Sequence, residues 1–136
     1  MPTFDDATIS QAPVEEVWKL LYDPSRFPEW WSGIETVEEP KQDGFTFFPK
    51  GYPDFPMPQT MRTEGNRVTI SCLISHLVFE WRLEPTEQDG TQIAVHVEIP
   101  DAEAHRLETQ RDVVSASLRS LAALASEPTA GPPGPG

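Results

Sequence analysis

Between Arg67 and Ile99 the apolar residues keep to every second position. Val68, Ile70, Cys72 and Ile74 take even numbers, whereas Leu77, Phe79, Trp81 and Leu83, then Ile93, Val95, Val97 and Ile99, take odd ones. A period of two sends successive side chains to opposite faces of a strand, so each of these segments has one apolar and one polar face. The change from even to odd requires a turn or bulge near Ser75-His76, because a straight strand cannot exchange its faces. Gly65-Asn66 and Gln88-Asp89-Gly90 are turn signals. Links this short imply antiparallel strands over Met57–Glu64, Arg67–Ile74, Leu77–Leu83 and Thr91–Ile99.

The rest of the chain supplies three more strands and the helices. Thr3 to Ser10 reads as a first, edge strand in which Ala7 and Ile9 alternate with polar neighbours and two aspartates argue for exposure. Pro13 suits a first helical position, Glu15 and Glu16 complement the helix dipole, and Val14, Val17, Trp18 and Leu21 form an amphipathic stripe. Asp23-Pro24 offers a second cap, but Pro28 limits Ser25 to Trp31 to a short irregular helix ending on two tryptophans. Ile34–Glu38 and Gly44–Phe48 read as a hairpin around Gln42-Asp43-Gly44. Pro49, Pro53, Pro56 and Pro58 then make the stretch 49–58 a loop, a ragged sheet edge or a flap.

Asp101 is placed to cap a final helix of about 25 residues, whose stripe is Leu107, Val114, Leu118, Leu121 and Ala125. Residues 127–136 hold prolines and glycines without apolar periodicity, which predicts a disordered tail after a single domain over 1–126. The order is thus strand, two short helices, six strands and one long helix, an α+β domain with a large antiparallel sheet.

Composition narrows the partners. A formal net charge of -12 over 136 residues repels phosphate backbones and anionic headgroups, so nucleic acid is not an expected partner. Cys72 is the single cysteine, which rules out an intrachain disulfide. No apolar run is long enough for a membrane span and the N-terminus lacks the features of a secretion signal, so a cytoplasmic location is expected, without integral membrane association. His76, His96 and His105 lack metal-ligand spacing, and no cofactor fingerprint or Ser-His-Asp order occurs, so neither a metal nor a cofactor is expected.

A sheet with one apolar face must be covered. One helix roughly 10 Å wide cannot fill the concavity of a twisted sheet of six or seven strands, so the remaining volume is either filled by the short helices or left as a cavity. By alternation Phe47, Met61, Phe79, Trp81, Val95 and Val97 face that side, with Cys72 beside them and Val114 and Leu118 opposite on the helix. Core packing is the commoner role for any one of them. As a set they describe a pocket wall. Of Trp30 and Trp31, one belongs to the core and the other to the pocket, where an indole can stack on a flat ligand; Trp30 is the expected ligand contact. Arg111, about 40° from the centre of the helical stripe, is the one charged side chain that periodicity brings toward the cavity mouth; the alternative is a snorkelling surface arginine. Cys72 reads as a small buried hydrophobe rather than a nucleophile, and no catalytic residue is assigned.

Two segments carry a family resemblance. Ala12-Pro13-Val14-Glu15-Glu16-Val17-Trp18-Lys19-Leu20-Leu21, followed by Asp23-Pro24-Ser25-Arg26-Phe27-Pro28-Glu29-Trp30-Trp31, resembles the opening of the START-like helix-grip superfamily (SRPBCC), in its polyketide cyclase/dehydrase and lipid-transport branch. Phe79-Glu80-Trp81-Arg82-Leu83-Glu84-Pro85 and Gly90-Thr91-Gln92-Ile93 are similar to that family's penultimate strand, turn and final strand. The resemblance implies a helix-grip fold, a seven-stranded antiparallel sheet wrapped around the C-terminal helix, with a hydrophobic pocket between them. It implies binding or transport of a lipid, polyketide or aromatic compound. A polyketide cyclase or dehydratase is the alternative. A protein-interaction module, akin to chaperone activators or toxin/antitoxin partners, is a second one. Oligomeric state, monomer or homodimer, stays open.

Overall fold

A computed structural model describes residues 2–127, so the expected tail, apart from Glu127, lies outside the described residues. Seven strands form one antiparallel sheet: β1 Thr3–Ser10, β2 Ile34–Val37, β3 Gly44–Pro49, β4 Met57–Glu64, β5 Arg67–Cys72, β6 Val78–Pro85 and β7 Thr91–Glu98. Their spatial order is β1-β7-β6-β5-β4-β3-β2, so β2 to β7 run as a meander and β1 closes onto β7. The helices are α1 Val14–Leu21 and α2 Leu107–Ser126, with 3-10 helices at Pro24–Glu29 and Asp101–Arg106. The long helix lies across one face of the sheet, which is the helix-grip α+β architecture expected of the sequence.

The face exchange near Ser75-His76 is a tight turn. The Cys72 N–H donates to the Leu77 carbonyl (2.9 Å) and His76 N–H to the Cys72 carbonyl (3.0 Å), while His76 adopts a left-handed φ of 62°. Four residues, Leu73 to His76, therefore separate paired partners, and β5 ends at Cys72 rather than Ile74. Leu73 and Ile74 are consequently exposed. Asp23 caps the first 3-10 helix as expected, its Oδ1 accepting the Ser25 N–H at 3.1 Å. Of the proline-rich stretch, Pro49 ends β3 and Met57 and Pro58 already belong to β4, where the Pro58 carbonyl accepts the Leu73 N–H at 3.0 Å.

Two expectations are corrected. The inward face of β1 is Phe4, Asp6, Thr8 and Ser10, not Ala7 and Ile9, and Ile9 is 59% exposed. The reason is α2: its last turns pack on β1 through a polar tie in which Ser10 Oγ donates to the Ala122 carbonyl at 2.9 Å. Asp101 does not cap the long helix. Residues 101–106 form a separate 3-10 turn broken by non-helical Glu103, with Pro100 before it, and α2 proper starts at Leu107. One proline, Pro100, and the misfit dihedral at Glu103 thus stop the α-helical phase from extending back from Leu107.

The core lies between sheet and helices. Val68, Ile70, Trp81, Leu83, Ile93, Val95, Val97 and Ile99 present the sheet's apolar face, against Val114, Leu118 and Leu121 of α2 and Val17 and Leu21 of α1. The opposite face of the sheet carries Arg67, Glu80, Arg82 and His96. There His96 bridges the edge strand, its Nδ1 2.8 Å from Asp5 and its Nε2 3.3 Å from Glu98. Hydrogen bonding to Asp5, outweighing partial burial and reinforced by the charges of Asp5 and Glu98, raises the imidazole pKa above its ordinary value.

Candidate functional site

The space under α2 is filled at one end and empty at the other. At the filled end Phe27, Trp30, Trp31, Phe45, Phe79 and Trp81 pack in mostly edge-to-face pairs with centroids 5.2–5.4 Å apart, the geometry that ring quadrupoles favour. Trp30 Nε1 donates to the Leu20 carbonyl at 2.9 Å, which locks its ring to the end of α1. Trp81 is fully buried and its indole N–H has no hydrogen-bond partner among the described residues; the rings of Trp30 and Trp31 stand beside it.

Beyond Trp31 a cavity of about 220 Å³ opens. Its sheet wall is Phe45, Phe47 and Pro49 of β3, Met57 and Gln59 of β4, Cys72 of β5 and Phe79 of β6, extended by Ser75 and Leu77 of the turn. Ser32, Gly33 and Ile34 border it below, and Arg106, Gln110 and Val113 form the helical rim. Register explains the wall: Phe45 lies opposite Gln59, Gln59 opposite Cys72, and Phe47 opposite Met57. Same-face neighbours across adjacent strands make a continuous row. Gly44 lets β3 approach, since an added Cβ there would collide with the Gln59 carbonyl oxygen.

The wall is apolar except for one patch. Gln59 is only 6% exposed and its Nε2 donates to the Met57 carbonyl at 3.2 Å. The Cys72 Sγ accepts the Ser75 N–H at 3.4 Å. Burial pushes this thiol up, but hydrogen bonds from the Ser75 side chain and backbone, the Ile74 backbone and the Gln59 side chain outweigh it, leaving the Cys72 pKa below the ordinary thiol range. At the mouth Arg106 donates through Nε to Glu103. No group of three or more His, Cys, Asp or Glu able to hold a metal exists among the described residues.

Three residues expected from the sequence, Phe47, Cys72 and Phe79, line the cavity. Trp30 does not; Trp31 does, because Trp30's indole is committed to Leu20. Met61 faces inward but borders a separate groove with Tyr22, Asp23 and Thr63, two residues along β4 from Gln59. Trp81, Val95, Val97, Val114 and Leu118 are buried in the packed core, where α2 presses directly on the sheet. Arg111 is exposed and lies over the Phe4 ring at 5.8 Å, on the β1 side. At 100° per residue it sits roughly 130° around the helix from the midpoint of Gln110 and Val113, and Arg106 takes the place expected for it.

Gln59, Gln110, Ser75 and Arg106 were not foreseen. The signal for Gln59 was present: Met57, Gln59 and Met61 share one parity, so a polar residue stands in mid-face of an inward strand. For Arg106 no local signal existed, because the 3-10 turn preceding α2 breaks the phase by which it would be found.

An open antiparallel sheet gripping a C-terminal helix, with an apolar cavity at one end of the grip, defines the START-like class of ligand-cavity folds. The chain belongs to the family described as polyketide cyclase / dehydrase and lipid transport, which it matches over residues 1–127. No curated protein matches its sequence. Similar solved structures include protein XoxI from Bacillus cereus, 16% identical with a TM-score of 0.70 over 91% of this chain and 95% of that one. Protein CV1439 from Chromobacterium violaceum is 20% identical with a TM-score of 0.72, covering 94% of this chain and 100% of that one. EF2215 from Enterococcus faecalis, a conserved protein of unknown function, is 17% identical with a TM-score of 0.72 over 96% and 74%. At these identities the likeness is one of fold.

Proposed function

We propose that the chain binds a small, largely apolar molecule in the cavity between β3–β6 and the start of α2. The observation that carries this reading is the unfilled volume of about 220 Å³, which adjoins an otherwise closely packed aromatic core. Interiors of this kind pack to crystal density, so a void this size at the end of a core is a candidate site rather than slack. A cavity of this size suits a compact ligand of one or two rings. Trp31 in the wall makes intrinsic fluorescence a direct reporter.

The test is a panel of small aromatics read by native mass spectrometry, thermal shift and fluorescence, on the natural chain and on Val113→Trp. Binding by the natural chain, lost when the indole fills the cavity in a variant of unchanged circular dichroism, supports the reading. A panel with no binder, or binding unaffected by Val113→Trp, overturns it.

Catalysis of a cyclase or dehydratase kind is a second reading, favoured by the polar patch of Gln59, Cys72 and Ser75 inside an apolar wall. Incubation with reactive poly-β-ketone chains tests it: a product distribution identical with and without protein removes it.

A further inference from the structure

Gln59 is the one amide side chain that the fold buries against the cavity, and the use of its two ends differs. Its NH2 group is committed, because the Met57 carbonyl can only accept; the Nε2 donation at 3.2 Å therefore fixes which way the amide is turned. The remaining atom, Oε1, accepts no hydrogen bond from any described residue, yet belongs to a side chain 94% removed from solvent. It is not among the fully enclosed unsatisfied atoms, so it keeps access to space; Gln59 borders both the cavity and a second groove with Thr46 and Thr60, and its register opposite the inward-facing Phe45 and Cys72 puts the side chain on the cavity side. Leaving such an acceptor without a partner once water is displaced is costly. Whatever occupies the cavity must supply a donor or leave that acceptor bare.

We infer that the ligand is a compact aromatic phenol or enol whose hydroxyl donates to Gln59 Oε1, its ring lying against Phe45, Phe47 and Phe79. The inference rests on the cavity being a binding site and names the chemical class it selects. Phe45 stands directly across the strand pair from Gln59, so a ring on Phe45 carries a substituent within reach of the amide. The partners on the other side fit a hydroxyl rather than a methyl group: Cys72, opposite Gln59, and Ser75 make the neighbouring wall polar. A hydrocarbon of the same shape would displace the water that otherwise satisfies Oε1 without replacing its hydrogen bond, and a site built for a hydroxyl rejects such an isostere.

The experiment compares p-cresol with p-xylene, which differ by hydroxyl against methyl at nearly constant shape. Transfer out of water favours the xylene, so a preference for the cresol reports a hydrogen bond. The expected result on the natural chain is cresol binding at least tenfold tighter by calorimetry. In Gln59→Leu that preference disappears while xylene binding stays within about twofold. Gln59→Met, which keeps an unbranched shape, serves as the second variant, and a shift of the Gln59 side-chain amide signals on cresol but not xylene titration needs no variant. Equal or tighter xylene binding by the natural chain overturns the inference and leaves the cavity reading standing. A preference that survives Gln59→Leu or Gln59→Met, but is lost in Cys72→Ala, also overturns it by assigning the contact to the thiol. Binding of neither compound overturns the inference and counts against the cavity reading as well.

Discussion

The two ends of the space beneath α2 are built on the same sheet face and differ in what the sheet offers. At the closed end β6 presents Trp81 to Trp30 and Trp31, and rings at 5.2–5.3 Å leave no gap. At the open end β4 and β5 present Gln59 and Cys72, and the helix above them offers Gln110 and Val113. Side chains of smaller volume across facing positions leave the cavity. Alternation alone decides which residues face inward; side-chain size and the landing point of the helix decide whether an inward residue becomes core or wall.

The largest expected effect tests the closed end as core. Trp30→Ala and Trp81→Ala should each lose about 3–5 kcal/mol of stability by denaturant titration. A loss below 1 kcal/mol, as expected for a wall residue, would erase the contrast. Replacing the same rings by phenylalanine separates them further: Trp30→Phe leaves the Leu20 carbonyl without its donor, whereas Trp81→Phe removes an indole N–H that has no partner among the described residues. Trp30→Phe is therefore expected to cost about 1–2 kcal/mol more than Trp81→Phe. Equal costs would mean that the Leu20 bond contributes nothing.

At the open end Phe47 is only half-buried, and Phe47→Ala should cost under about 1.5 kcal/mol while weakening ligand uptake more than it weakens the fold. Cys72 gives a chemical reading of the same end. With its pKa held low by Ser75, Ile74 and Gln59, its alkylation by iodoacetamide should reach half-maximal rate at a lower pH than a free cysteine's. A bound ligand should slow it; a rate unchanged by a saturating ligand would place that ligand elsewhere.

The smallest effect lies outside both ends and serves as a control. His96 has a raised folded-state pKa, so its pairing with Asp5 and Glu98 stabilises the fold fully below the unfolded value of about 6.5 and ceases to do so as pH rises through the folded one. Natural protein should exceed His96→Gln by about 0.2–1 kcal/mol at pH ~6, with the gap closing at alkaline pH and cavity binding unchanged. A gap that widens with pH would reverse the assignment.

Much of the fold was legible because period-two alternation is a direct imprint of a half-buried sheet, and β5 to β7 follow it. The inversion of β1 was not, since Phe4 is the one large apolar residue on its inward face and α2 meets the Ser10 end through Ala122 and Ser126. The site was half legible. Phe47, Cys72 and Phe79 follow from parity, but the choice of Trp31 over Trp30 depends on which indole meets Leu20, a contact across ten residues that no spacing rule contains. Arg106 replaces Arg111 because the chain before Leu107 is not α-helical, so a wheel drawn from the helix does not reach it.

The pairing of β1 with β7 carries a consequence for how the molecule comes together. Strands β2 to β7 form by successive hairpins, each closing a short loop, whereas Thr3 must find Glu98 and Ser10 must find Thr91. Search over so long a segment is slow, and its entropy is recovered only once β7 and α2 are in place. During synthesis β1, made before the other six strands of the sheet, is therefore expected to be the last of them to dock. Until it does, the β7 edge stands unpaired, and the nascent chain is most open to mispairing with a neighbour at that moment.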